Sequence, residues 1–215
     1  MDDHPTQAPP PILDVSHLPD NAFDMRSPVW WGNTLMILIE STTIVLVLAT
    51  YFYCWRNFEK WPPPNPNRLM SHDTLPSLGA STANLILIAG TCFAMYLTDK
   101  AARRLKDKPV IIGLMLMFIV AIVAIILRFY EFAGTKFRWS DNAYASIVWT
   151  LLGLHLTYLI MAAGEFFIMG IWTITHPLDA HHAHDITLAG GSWYWIAGTW
   201  IVIYFVIYIA PRLGS

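Results

Sequence analysis

The sequence predicts an all-α integral membrane protein built as a bundle of five transmembrane helices, and three observations carry that reading. Hydrophobic residues make up 55% of the chain and charged residues only 13%, against about a quarter charged in soluble domains. The charges crowd into the segments between five long apolar runs, each of about the 20 residues that a helix needs to cross a bilayer or longer. Ten Trp and nine Tyr suit the aromatic belts found at membrane–water interfaces.

Residues 1–29 form a polar tail ahead of a membrane domain of residues 30–215. Asp2, Asp3, Asp14, Asp20 and Asp24 alternate there with prolines, a composition that neither builds a helix nor reads as a signal peptide. The first span covers about 30–54 and holds one carboxylate, Glu40. An ionisable group at that depth costs on the order of 2.5–3.5 kcal/mol, so Glu40 must be neutral, partnered or next to water. Trp61-Pro62-Pro63-Pro64 then reads as a rigid surface turn. The second span, about 78–98, carries Gly79, Ala83 and Gly90, small residues that let membrane helices approach closely. A loop from Asp99 to Pro109 holds Lys100, Arg103, Arg104, Lys106 and Lys108. The third span, about 109–130, stays free of charge until Arg128. The fourth, 143–174, exceeds the bilayer thickness and so tilts or projects from it. A histidine-bearing loop precedes the fifth, about 192–210. Five spans place the termini on opposite sides, and the basic cluster favours a cytoplasmic N-terminus.

A net charge of -2 and the lack of a basic stripe interleaved with aromatics point away from nucleic acid. Cys54 and Cys92 offer neither a disulfide framework nor metal-ligand spacing. No nucleotide loop, nucleophile elbow or flavin fingerprint occurs, so no catalytic residue and no metal are assigned to this chain.

The polar candidates therefore lie in the membrane and at one loop. Asn33, Met36 and Thr43 share a helix face with Glu40, and Ser41, Thr42 and Thr43 add hydroxyls. Glu40 is then either a carboxylate beside a proton or water route or a protonated side chain that ties helices together. Arg128 and Glu131, three apart, read as an interfacial ion pair or a lipid-headgroup contact. His155 is a hydrogen-bonded structural residue or a haem ligand, and nothing pairs with it at ligand spacing. Glu165 falls on a different face from His155 and approaches the membrane surface. His176, His181, His182 and His184 form a loop that is plainly polar, collects protons, or looks like a metal site.

Taken in order, these segments resemble subunit three of the haem–copper oxidases, the cytochrome c and quinol oxidase family. Gly32 and the run into Glu40 resemble that family's helix with its buried carboxylate, and Trp61-Pro62-Pro63 its proline loop. Glu131 and the segment Phe137-Arg138-Trp139-Ser140-Asp141-Asn142-Ala143-Tyr144-Ala145-Ser146 are similar to its Glu and Phe-x-x-Ser-Asp-x-x-Tyr-x-Ser motif. Gly153-Leu154-His155 resembles Gly-Phe-His, and Trp193-Tyr194-Trp195 the aromatic trio that opens the last helix. The likeness runs from about Trp31 to the C-terminus. It departs at Tyr158, where a second His is common, at Ile196 to Thr199 after the trio, and at Ser41-Thr42-Thr43 after the carboxylate.

The resemblance implies a short, five-helix form of a subunit that carries no redox centre itself. Haem and copper are then expected in partner chains, namely the catalytic subunit one, subunit two and further respiratory-chain subunits. It also implies bound phospholipid in a cleft, a contribution to assembly and to proton uptake in a proton-pumping aerobic electron-transport complex, and a place in the bacterial inner membrane. Glu40 becomes the carboxylate near the proton and lipid cleft. Arg128, Glu131, His155, Trp61 and Trp193 become structural or lipid-contact residues, and the histidine loop lies on the proton-uptake side. Two rival readings are a stand-alone transporter coupled through Glu40, which lacks an internal repeat, and a haem-binding anchor using His155.

Overall fold

The computed structural model describes residues 27–63, 75–135 and 137–213, and its regular elements there are all helical. Helix α1 spans Pro28–Asn57, α2 Gly79–Ala102, α3 Asp107–Gly134, α4 Ala143–Thr175 and α5 Ala180–Tyr204. A π-helical turn, Phe205–Ile209, continues α5 into the short α6, Ala210–Leu213. Helices α1 to α4, and α5 with its continuation, are each long and apolar enough to cross a membrane. Residues 1–26 of the tail and residues 64–74 of the proline loop lie outside the described residues.

The helices overrun the apolar segments for local reasons. Pro28 occupies the start of α1, where its missing N–H and fixed φ cost nothing. Helix α2 continues through Asp99 and Lys100 to Ala102, and Arg103 Nε donates to Asp99 Oδ2 at 3.0 Å. Leu105, at φ 50°, then turns the chain out of the helix while Lys106 N–H closes back on Ala101 O at 3.2 Å. Pro109 sits inside the first turn of α3, a place proline tolerates. The expected basic loop therefore shrinks to residues 103–106.

The largest difference from expectation is α5, which begins at Ala180 rather than near residue 192. Asp179 caps it, with Oδ1 accepting from His182 N–H at 2.8 Å. Ala183, Ile186 and Ala189 bury one face of these first turns. Three of the four histidines thus belong to a helix, and Trp193-Tyr194-Trp195 lies within it rather than opening it. At the other end Pro211 lacks an N–H and its ring crowds the carbonyl of Ile207, four residues back, which the π turn absorbs. The Ile207 carbonyl is taken instead by the Tyr144 hydroxyl, which donates at 3.3 Å.

Helices α2, α3 and α4 pack in chain order, α5 lies against α2 and α4, and α1 packs on α4 and α5. The start of α1, the α2–α3 turn and the α4–α5 turn share one end of the bundle, where Leu178 N–H donates to Asp107 Oδ1 at 3.2 Å. At the opposite end Asn142 Nδ2 donates to Pro63 O at 3.2 Å and Arg212 Nη2 to Pro76 O at 2.7 Å. Trp61 anchors that end among Tyr51, Phe58 and Tyr144, with ring centroids 5.3–5.8 Å away.

Small residues matter at a different place from the one expected. Gly79, Ala83 and Gly90 are exposed, and a Cβ at Gly79 or Gly90 would meet nothing within 4 Å. Helices α2 and α3 instead approach closely at Gly113, where a Cβ would run into the Thr98 side chain. Gly113→Leu is expected to lower stability by about 1–3 kcal/mol through overpacking. The check is the unfolding midpoint in mixed detergent micelles, and an unchanged midpoint would show that α2 and α3 do not need the close contact.

Candidate functional site

Two polar constellations lie within the bundle and a third at its end. The first is a cavity of about 260 Å³ between α1, α4 and α5, lined by Met36, Glu40, Tyr158, Met161, Glu165 and Trp195 among others. Glu40 lies 12 residues into α1 and Glu165 10 residues before the end of α4, both measured from the same end of the bundle. At 1.5 Å per residue this sets them about 18 and 15 Å deep, so they meet at similar depth. Glu165 therefore faces the cavity instead of the membrane surface. The signal was present in the sequence, because Tyr158 and Glu165 are seven apart and share a helix face.

The hydroxyls beside Glu40 are committed elsewhere. Ser41, Thr42 and Thr43 donate to the carbonyls of Ile37, Leu38 and Ile39 at 2.6, 2.8 and 3.1 Å. Ser41 Oγ also accepts from Trp195 Nε1 at 2.8 Å, and Asn33 Oδ1 accepts from Ser192 Oγ at 3.1 Å. These two contacts fasten α1 to α5 on either side of the cavity. Tyr158 packs edge-on against Trp195 at 5.0 Å, closing its wall.

The second constellation is the Arg128–Glu131 pair. The pairing is present, with Arg128 Nη1 donating to Glu131 Oε2. It is enclosed by protein, since Arg128 is 0% and Glu131 3% exposed. Sequence spacing sees only the two residues near a helix end, whereas burial comes from α4 and α5. Arg128 Nη2 donates to His155 Nδ1 at 2.9 Å, and the guanidinium lies 3.7 Å from the centre of the Trp200 ring. Arginine only donates, so His155 Nδ1 is the acceptor, and its Nε2–H donates to Ile196 O at 3.0 Å. Both ring nitrogens are thereby engaged, which leaves no lone pair for haem iron. His155 has a partner after all, on α3. Trp200 went unnoticed in the sequence, although it lies seven residues beyond Trp193 on the same face. Trp61 and Trp193 are also buried, at 7% and 0% exposure, so all five residues expected as structural or lipid contacts face the interior.

The third constellation is the expected histidine loop, which the fold divides. His176 stacks on Trp172 and shares a hydrogen bond with Thr175 Oγ1 at 2.8 Å. His184 lines a separate cavity with Arg103 and Leu105. His181 and His182 stay together, next to Asp185.

No family model matches the chain. Cytochrome c oxidase subunit 3 of Cyanidium caldarium is 25% identical over 148 residues, covering 69% of this chain and 53% of the relative. The protein of the same name from Lachancea kluyveri is 24% identical over 184 residues, or 80% of this chain and 64% of the relative. That of Saccharomyces cerevisiae is 22% identical over 213 residues, or 92% and 73%. The chain thus spans between half and two thirds of the length of the first two. Their common name and their match over most of the chain, together with five spanning helices, support its placement in the subunit three family of the haem–copper oxidases.

Proposed function

We propose that this chain is a non-redox subunit of a proton-pumping haem–copper terminal oxidase. In this reading haem and copper are held by the catalytic subunit one and by subunit two, and the chain packs against them. It supports assembly, holds phospholipid and sustains proton uptake during aerobic electron transport. The observation that supports the proton role is the pair of carboxylates, Glu40 and Glu165, on one cavity at matching depth. Both carboxyl groups line the same cavity, so the cavity offers a proton two landing points. The engaged nitrogens of His155 weigh against the haem-anchor rival.

The basic residues Lys100, Arg103, Arg104, Lys106 and Lys108 crowd the end from which the cavity is reached at shallower depth, and we assign that end to the cytoplasm. Lys100 lies 5.9 Å from the Tyr96 ring at the same end, an amphipathic pair suited to phospholipid headgroups. The relatives are eukaryotic, so the bacterial inner membrane is an assignment from the resemblance alone.

Gentle detergent purification is expected to recover this chain with haem- and copper-bearing partners. In that complex Glu40→Gln or Glu165→Gln should slow proton uptake or hasten turnover-dependent inactivation, with the haem spectrum unchanged. The double variant should exceed either single one. Recovery of a lone chain with transport activity would overturn the oxidase reading, and unchanged uptake and lifetime in all three variants would overturn the proton role.

A further inference from the structure

We propose that His181, His182 and Asp185 form a binding site for one divalent transition-metal ion at the end of the bundle where α4 passes into α5. Each residue offers one ligand atom, and these atoms all lie within 4.8 Å of one another. The site stands on its own geometry and does not depend on the oxidase reading.

The local fold explains how these three polar residues within one helical turn converge. His181 and Asp185 are four apart on α5, one helical turn, and His181 Nδ1 stands 3.9 Å from Asp185 Oδ2. His182 follows His181 directly and would ordinarily point about 100° further round the helix. Two contacts hold its ring. Its Nδ1 lies 2.6 Å from Asp179 Oδ1, and its face stacks on Trp172 at 3.5 Å between centroids. A carboxylate accepting from one imidazole nitrogen fixes the tautomer and leaves the lone pair on the other. This is how metal-binding histidines are commonly oriented, and the partner carboxylate strengthens the ligand. Asp179 is thus a positioning residue.

The distances are compatible with closure on an ion. Metal–nitrogen and metal–oxygen bonds of about 2.0–2.2 Å in a tetrahedron put neighbouring ligand atoms about 3.4 Å apart. The three atoms need to draw in by up to about 1.4 Å, and the His181 side chain, 58% exposed, has the rotamer freedom to do so. Two imidazoles and one carboxylate select zinc, nickel or copper over magnesium and calcium, which demand oxygen shells. A helix N-terminus by itself repels cations. Asp179 and Asp185 supply two negative charges around the site and offset that repulsion. Three protein ligands leave the fourth position for water or for a group from a neighbouring chain, so the ion should be exchangeable.

The test is calorimetric titration of Zn²⁺ into the full, tag-free chain in detergent after chelator treatment. The expected result is one saturable ion per chain, resistant to excess Mg²⁺, with X-ray absorption showing nitrogen and oxygen neighbours at about 2.0–2.2 Å. His181→Ala or Asp185→Asn should weaken affinity at least tenfold, and His181→Ala/His182→Ala should abolish it. Asp179→Asn removes no ligand and should weaken affinity about 10–100-fold. His176→Ala and His184→Ala, with the same helical content, should leave it unchanged. Absence of saturable binding would overturn the site, as would binding that survives His181→Ala/His182→Ala or that is lost with His176 or His184.

Discussion

Replacing Arg128 by methionine is expected to destabilise the bundle by about 3–5 kcal/mol, the range for breaking one partner of a buried ion pair. The residue is fully enclosed, and three groups on three helices depend on it: Glu131 on α3, His155 on α4 and the Trp200 ring on α5. Methionine fills most of the volume but leaves the Glu131 carboxylate buried without its cation and His155 Nδ1 without a donor. The companion variant Arg128→Met/Glu131→Met removes both charges and should recover much of the loss, since apolar replacement of a buried pair is often near neutral. The two effects must therefore couple strongly in a double-mutant cycle. Reversible unfolding in mixed micelles reads both. A loss for Arg128→Met within about 0.5 kcal/mol, the range of ordinary surface changes, would show that the network is not formed.

Trp193→Ala is expected to cost about 3–5 kcal/mol, the usual range for emptying a buried aromatic site. Trp193 is wholly enclosed and packs edge-on against Phe166 of α4 at 5.6 Å. In a bilayer the apolar driving force between helices is weak, so the lost packing carries the effect. Trp193→Phe should cost far less. It keeps an aromatic ring against Phe166 and removes an indole N–H that has no partner among the described residues, whose burial is itself unfavourable by about 1–3 kcal/mol. Equal losses in the two variants, measured by the same unfolding assay, would show that the indole is not packed as described.

The membrane class and the number of spans were legible because hydropathy over 20 residues is a property of the chain alone. Helix ends were not. Pro109 and Gly190-Gly191 look like breaks in a sequence, yet a first-turn proline and a glycine packed against Met95 both suit their helices. The Arg128–Glu131 pairing was legible from spacing, but its burial was not, because His155, Ile196 and Trp200 are distant in sequence. Glu40 drew notice as a lone costly carboxylate. Its companion Glu165 is more than a hundred positions away, and only the crossing of α1 over α4 brings them to one cavity. The four histidines show the converse, since His184 lines a cavity of its own while His176 and His182 both stack on Trp172.

The way α1 is seated has a consequence for biosynthesis. Its hydrogen bonds run to Ser192 and Trp195 and its aromatic end packs on Tyr144, all on α4 and α5, while α2, the next helix made, packs mainly elsewhere. During translation α1 therefore enters the bilayer well before its docking surface exists. It must wait in lipid while α2 and α3 associate, and it closes the cavity over Glu165 only when α5 has been inserted. Among the described helices, α5 thus locks α1, which was made well before it.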